Sequence, residues 1–357
     1  MPRPIRATIS ASALSHNLMV AKAHAKGAKV WAVIKANAYG HGIERAARAF
    51  ELADGFAVLD FQEAARLRVA GLTKPILMLE GIFKAIDVPL LAKYSLTPVI
   101  HNPEQVEMLR TADLGGEIDV YLKVNSGMNR LGFGVESVRP AYNALRMHPQ
   151  VKAITFMSHF ADADGATGVQ AQLDWFAEIV KPFDVVSRSL ANSAALIRFP
   201  EARGDWVRPG IMLYGCSPFA DRSAESLGLQ PAMTLTSEII ATQHLQPGER
   251  VGYGFHYEAV GELTIGIVAC GYADGYPRHA PTGTPVLVNG KRTRTVGRVS
   301  MDMIAVDITD IPEAYIGSPV TLWGEGLSAD EVGAAAGTLS YELLTKLTAR
   351  VPVNEVA

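Results

Sequence analysis

Two cysteines, Cys216 and Cys270, are all that this 357-residue chain contains, so no disulfide framework is available and both are expected to be reduced and buried. A strong charge bias is missing too. The net charge is −3 and the pI about 6.3, which gives neither nucleic acid nor an anionic membrane a reason to bind. No apolar run approaches the roughly 20 residues of a membrane-spanning helix. The start, Met1-Pro2-Arg3-Pro4-Ile5-Arg6, is basic, but no apolar signal-peptide core follows it. Met19-Val20-Ala21 is interrupted by Lys22, His24 and Lys26 and reads as an amphipathic helix. The expected compartment is the cytoplasm. Nine histidines are scattered without metal-ligand spacing, so no metal is expected, and internal repeats and low-complexity tracts are absent.

With 48% hydrophobic and 19% charged residues, the chain has core enough for one large domain and a smaller one. Short apolar runs at 30–36, 55–59, 75–79, 96–100, 118–124, 153–158, 185–189 and 210–214 alternate with helical spacing at 61–70, 103–110, 138–147 and 170–180. Eight β/α units of this length predict an α/β fold, a (β/α)₈ TIM-like barrel over 10–230; a doubly wound open sheet is the alternative. Beyond residue 218 the texture becomes β-rich, with runs at 233–244, 261–270, 285–288, 293–296 and 303–306. Asn289-Gly290 between two apolar runs is a hairpin signal. A mainly β C-terminal domain is therefore expected over 231–357, joined by an N-terminal strand within 1–9. Helical spacing returns only at 328–336 and 341–348.

In such a barrel the chemistry gathers at the C-terminal strand ends. Polar residues fall there in succession: Lys35 and Tyr39, then Lys123 with Asn125-Ser126-Gly127-Met128-Asn129-Arg130, Ser158-His159, Asn192-Ser193, and Arg208-Pro209-Gly210-Ile211. Lys35 is expected to end the first strand and point into a crevice, where desolvation lowers its pKa and frees an amine able to attack an aldehyde. Gly210 permits close backbone approach, and amides at a tight turn suit an anion.

Val33-Ile34-Lys35-Ala36-Asn37-Ala38-Tyr39-Gly40-His41-Gly42 resembles the pyridoxal-phosphate attachment site of alanine racemases, and the resemblance extends over nearly the whole chain. It implies that Lys35 forms the imine with pyridoxal 5′-phosphate. It further implies that Tyr39, Ser193 and Tyr341 hydroxyls and the Gly210 and Ile211 amides bind the phosphate, beside Asn192. Arg208 matches the arginine at the pyridine nitrogen. An arginine keeps its proton and leaves that ring a weak electron sink, which suits removal and return of a proton better than transamination. Arg130 matches the residue contacting the cofactor's phenolic oxygen and the substrate carboxylate. Lys123 matches a lysine that relatives often carry as a carbamate; a buried lysine–carboxylate pair is the ordinary alternative. Here Asn125-Ser126 stands where many relatives have Asp-Thr.

Val251-Gly252-Tyr253-Gly254 matches the segment of the second catalytic base. Racemisation needs a group on each face of a planar carbon, Lys35 on one and Tyr253 on the other. A free tyrosine has a pKa of about 10, and the resemblance assigns the help it needs to His159 and Arg208. Relatives extend that chain with a histidine where Ser189 stands here. In Gly271–278 and Gly297–302, Tyr272 matches a residue narrowing the entrance, Met301 one whose backbone amide binds substrate carboxylate, and Asp302 its support. A homodimer with composite sites follows from the resemblance alone.

The implied activity is that of an alanine racemase, making D-alanine for peptidoglycan or degrading it, with a broader amino-acid racemase as the alternative. An amino-acid decarboxylase on the same plan needs a cysteine motif that neither Cys216 nor Cys270 provides. A non-catalytic, cofactor-carrying barrel has no β domain and no counterpart of Tyr253.

Overall fold

The structure, a computed structural model, describes residues 3–184 and 187–357. Eight parallel strands close a barrel: β2 (Lys29–Val33), β3 (Gly55–Val58), β4 (Ile76–Met78), β5 (Leu96–Ile100), β6 (Ile118–Lys123), β7 (Val151–Met157), β8 (Ser187–Ser189) and β9 (Trp206–Val207). β2 and β9 meet through Lys29↔Trp206 and Val30↔Val207. Of the run expected over 185–189, the first two residues lie outside those described. Strands covered on both faces must be apolar throughout, and β3 and β4 are buried at every position. The helices that return the chain are started by local chemistry. Asp60 caps Phe61–Val69 by accepting the Glu63 amide, and Asn102 caps Pro103–Thr111, whose Pro103 has no N–H to satisfy.

Two expected strands end differently. The run at 30–36 leaves the sheet after Val33, because Ala36, Asn37, Ala38 and Tyr39 all take positive φ of 51–54°. Four residues in a left-handed turn cost roughly 1–2 kcal/mol each for L side chains, so the local hand is imposed from outside. The run at 210–214 is no strand: the eighth strand is Trp206–Val207, and Ile211–Tyr214 form a 3₁₀ turn. Pro209 lacks the N–H a ladder needs, and Gly210 redirects the chain immediately after it.

Aromatics line the N-terminal end of the barrel. Trp31 stacks on Trp206 with centroids 4.3 Å apart, and its indole N–H donates to the Tyr121 hydroxyl at 2.9 Å.

The rest of the chain builds a second sheet. β1 (Arg6–Ser10) pairs antiparallel with β10 (Met233–Leu245), and β18 (Val353–Val356) extends it in parallel. A two-strand ribbon, β11 (Arg250–Val251) and β12 (Tyr257–Glu258), stands apart. β13 (Leu263–Val268), β14 (Pro285–Val288), β15 (Lys291–Val296), β16 (Ile304–Asp307) and β17 (Pro319–Trp323) complete the sheet. β10 changes neighbours along its length: 235–238 pair with β17, and beyond an irregularity at Ile239/Ala241 it pairs with β13. Six strands thereby close on themselves. The hairpin Val288↔Lys291 turns on Asn289 and Gly290, with φ of 51° and 75°, the pair of positive φ that a two-residue type I′ turn requires. One hydrophobic core runs from the barrel into this sheet, and a smaller cluster around Val251, Leu263, Ile265 and Val296 lies at its far end. Among the described residues no helix is long and apolar enough to cross a membrane.

Candidate active site

Lys35 opens the left-handed turn, half-buried at the end of β2. Burial lowers its pKa and the nearby Arg130 charge lowers it further, against Glu80 and Glu63, which raise it. An ammonium disfavoured in this way yields the free amine more readily than an exposed lysine does. Four residues on, the Tyr39 ring is buried and stacked on Tyr214 at 4.6 Å, with Tyr341 at 6.1 Å. Burial pushes the Tyr39 hydroxyl up to about 12, so it keeps its proton and remains a donor.

The loops after β8 and β9 meet that hydroxyl. Asn192 caps the helix Ser193–Arg198 by accepting the Ala195 amide at 3.0 Å, which turns Ser193 inward. The Ser193 Oγ accepts the Gly210 amide at 2.9 Å. A Cβ on Gly210 would lie 2.7 Å from the Tyr39 Oη, so the absence of a side chain is what leaves room there. Ile211 follows as the first residue of the 3₁₀ turn. Tyr39, Ser193, Gly210 and Ile211 are thus brought together, with the Tyr341 ring beside that of Tyr39.

Arg208 is buried, the residue after β9. Its guanidinium donates to the Ser189 carbonyl (2.6 Å) and hydroxyl (2.7 Å), the Ser158 carbonyl (2.6 Å) and the Leu190 carbonyl (3.0 Å). All these acceptors are neutral, so no carboxylate among the described residues answers this charge, and its Nε–H has no acceptor among them. Burial lowers its pKa to about 10, which still leaves it charged at neutral pH. His159 Nδ1 stands 3.5 Å from the same guanidinium. Burial, and then the Arg208 charge, hold His159 well below its ordinary value, so it is neutral and, with Nδ1 facing a donor, carries its proton on Nε2.

Lys123, the last residue of β6, is 6% exposed. No carboxylate lies within ion-pair distance of it among the described residues. Burial and the charges of Arg208 and Arg130 instead lower its pKa to about 8. Arg130 itself is exposed at the rim. Below it Ser126 and Ser158 hydroxyls share a 2.6 Å hydrogen bond, and Asn125 donates to the Asn129 side chain at 2.9 Å.

The remaining residues named from the sequence stand on the β domain. Tyr253 is 74% exposed and Met301 52% exposed. Tyr272 begins a short 3₁₀ turn whose amide donates to the Ser300 carbonyl. Asp302 is held from both termini: Arg3 donates to its carbonyl at 2.6 Å and Arg350 to its carboxylate at 2.7 Å. The same two arginines flank the fully buried Asp274, at 2.8 and 3.3 Å. Sequence reasoning missed this anchoring of the 301–302 loop, since its bonded partners lie up to 299 residues apart and form no local pattern. It also missed that Ser189 completes the Arg208 cage. Among the described residues no group of acidic, histidine or cysteine side chains suits a metal.

Comparison with known proteins gives one consistent result. The family model described as the alanine racemase N-terminal domain matches residues 9–218, and that described as the C-terminal domain matches residues 232–354. The chain is 54% identical to an alanine racemase of Nitrosomonas eutropha, over 99% of both chains. It is likewise 54% identical to one of Ralstonia nicotianae, over 99% of this chain and 96% of that one. Among solved structures, the biosynthetic alanine racemase from Pseudomonas aeruginosa superposes with a TM-score of 0.97 at 49% identity, covering 99% of this chain and 100% of that one.

Proposed function

The chain belongs to the alanine racemase family and interconverts L- and D-alanine, and we propose that it does so with pyridoxal 5′-phosphate held at the C-terminal mouth of the barrel and with bases contributed by two copies of the chain. The observation that carries this reading is the cluster of Tyr39, Ser193 and Gly210 at the turn that Lys35 opens. Gly210 has no side chain where a Cβ would meet the Tyr39 hydroxyl, and its amide is held by the Ser193 hydroxyl. That donor set fits a phosphate, and a lysine of lowered pKa next to it fits an aldehyde. Tyr39, Ser193, Tyr341, Gly210 and Ile211 would hold the phosphate, with Asn192 shaping the loop. The unengaged Nε–H of Arg208 would face the ring nitrogen. Bound there, the cofactor supplies an electron sink for the pair left when the substrate α-proton departs.

The chain's own residues account for the proton traffic. Lys35 Nζ takes or returns the proton of the substrate α-carbon on one face. The Tyr253 hydroxyl of a second copy does so on the other. His159, neutral and donating from Nε2, supports that tyrosine and is itself oriented by Arg208. The Arg208 guanidinium keeps its own proton and would therefore not give one to a ring nitrogen beside it, which would favour returning the α-proton over side reactions. Arg130 and the Met301 amide bind the substrate carboxylate, and Tyr272 narrows the approach. Lys123, near pKa 8, has enough free amine to add to carbon dioxide with loss of a proton; the resulting carbamate is an anion suited to steadying Arg130.

The exposure of Tyr253 and Met301 supports the composite arrangement, since residues with these roles have no substrate to touch within a single copy. The test is a panel of L- and D-amino acids with purified protein and pyridoxal phosphate, scored by chiral chromatography. Alanine should be converted in both directions and fastest. A pocket separates a methyl from a hydroxymethyl by only about 1–3 kcal/mol, so serine is expected to react more slowly by a measurable factor. Equal rates across the panel would favour the broader racemase, and no conversion of alanine would defeat the reading.

A further inference from the structure

The turn carrying Lys35 is left-handed, yet of Ala36, Asn37, Ala38 and Tyr39 only asparagine visits that region readily. Two side chains from outside the turn take up its backbone groups. Glu63, in the helix after β3, accepts the Asn37 amide through Oε1 at 3.0 Å and the Leu59 amide through Oε2 at 3.2 Å. One carboxylate therefore ties the turn to the chain just beyond β3. His41, immediately past the turn, folds back so that Nδ1–H is shared between the Ala38 and Tyr39 carbonyls, each at 3.0 Å.

The histidine is an unusual thing to bury. Its Nε2 has no hydrogen-bond partner, and burial lowers its pKa to about 4, so the ring is neutral with one proton to give. A buried nitrogen without a partner is destabilising. The compensation visible here is the pair of carbonyls that the left-handed turn presents to Nδ1, together with the Tyr214 ring 4.7 Å away. Asn37 adds a third tie: its Oδ1 accepts the Ile43 amide at 3.1 Å and an Arg66 N–H at 3.3 Å.

We propose that Glu63 and His41 are positioning residues: they hold the turn in its left-handed form and thereby set the Lys35 amine and the Tyr39 hydroxyl at the barrel mouth. The proposal rests on the function argued above for those two groups. Its rival is packing alone, because Gly40 lies directly against the Leu344 carbonyl of the helix Ser340–Thr345.

The test compares Glu63→Ala with Glu63→Gln, and His41→Leu with His41→Asn. Glutamine keeps one acceptor for the two amides, and asparagine keeps a donor near the place of Nδ1. Amide hydrogen exchange over residues 34–42 and at residue 59 is measured on the cofactor-free protein, beside its thermal unfolding. Pyridoxal phosphate affinity, kcat and KM are then measured separately. Exchange at 36–40 should rise about tenfold or more in the truncated variants, the scale of a lost hydrogen bond to a charged or buried group. Cofactor affinity should fall about 10–100-fold and kcat should fall with KM little changed, with partial rescue by Gln and Asn. Exchange and affinity within about twofold of wild type in both truncated variants, or no rescue by either conservative one, overturns the proposal. Should the truncated proteins fail to fold, Glu63→Gln decides: with one acceptor for two amides, exchange must rise at residue 37 or 59, and unchanged exchange at both refutes it. A wild-type protein that neither binds the cofactor nor racemises alanine overturns the functional reading instead, and the exchange result stays separate from that failure.

Discussion

Gly210→Ala adds one methyl group at the point where the proposed phosphate site is tightest. The Gly210 φ of −118° is negative, so alanine meets no left-handed strain there and the effect is steric. The new Cβ would lie 2.7 Å from the Tyr39 Oη and 3.5 Å from its Cζ, where ordinary contact begins at 3.4 Å. The tyrosine cannot easily yield. It is stacked at 4.6 Å on Tyr214, which is 1% exposed and anchored by its hydroxyl to the Val33 carbonyl at 2.8 Å. Overpacking of this kind costs about 1–3 kcal/mol. If the displaced atoms are those that hold the phosphate, that is about a 5–150-fold loss of pyridoxal phosphate affinity. The assay is titration of cofactor-free protein, followed by absorbance, beside thermal unfolding. Tyr39→Phe in the same chain removes the atom that the methyl meets, so the double variant should regain stability without regaining affinity, a non-additivity that reports direct contact. Unchanged affinity in Gly210→Ala would show that the phosphate does not sit against Gly210.

Two further predictions concern subunits and charge. Mixing inactive Lys35→Ala and Tyr253→Phe proteins under conditions that exchange subunits should restore activity at about a quarter of all sites, because half the dimers are mixed and each holds one intact composite site; no recovery would place both bases in one chain. Lys123→Met should stabilise the cofactor-free protein at pH 7 in carbon-dioxide-free buffer. The lysine pKa falls from 10.5 to about 8 on folding, a penalty of roughly 3 kcal/mol fully present below pH 8 and relieved as pH rises from 8 towards 10.5. Denaturant unfolding at pH 7 and 10 should therefore show the gap between variant and wild type narrowing with pH, and a constant gap would contradict the burial argument.

What could be read before folding was whatever is written locally. The eight-strand barrel, the Asn289-Gly290 hairpin and the strand-end positions of Lys35 and Lys123 follow from periodicity and turn chemistry. The misplaced eighth strand has a local cause too: 210–214 is apolar enough for a strand, and the lack of an N–H on Pro209 outweighs that pattern. The left-handed turn was beyond local reading. Ala-Asn-Ala-Tyr has ordinary helical propensity, and its hand depends on Glu63, which is 26 residues from Asn37. The anchoring of Asp302 by Arg3 and Arg350 joins the two ends of the chain and leaves no trace in any window. The exposure of Tyr253 is likewise invisible in sequence, where the motif around it is complete in itself.

The account stands or falls on Lys35. Borohydride reduction of protein loaded with pyridoxal phosphate, followed by proteolysis and mass spectrometry, identifies the amine that carries the cofactor. The predicted result is one pyridoxyl group on the peptide containing Lys35, lost together with racemisation in Lys35→Ala. A pyridoxyl group on Lys123 or another lysine, or none on a protein that still racemises alanine, would contradict the account.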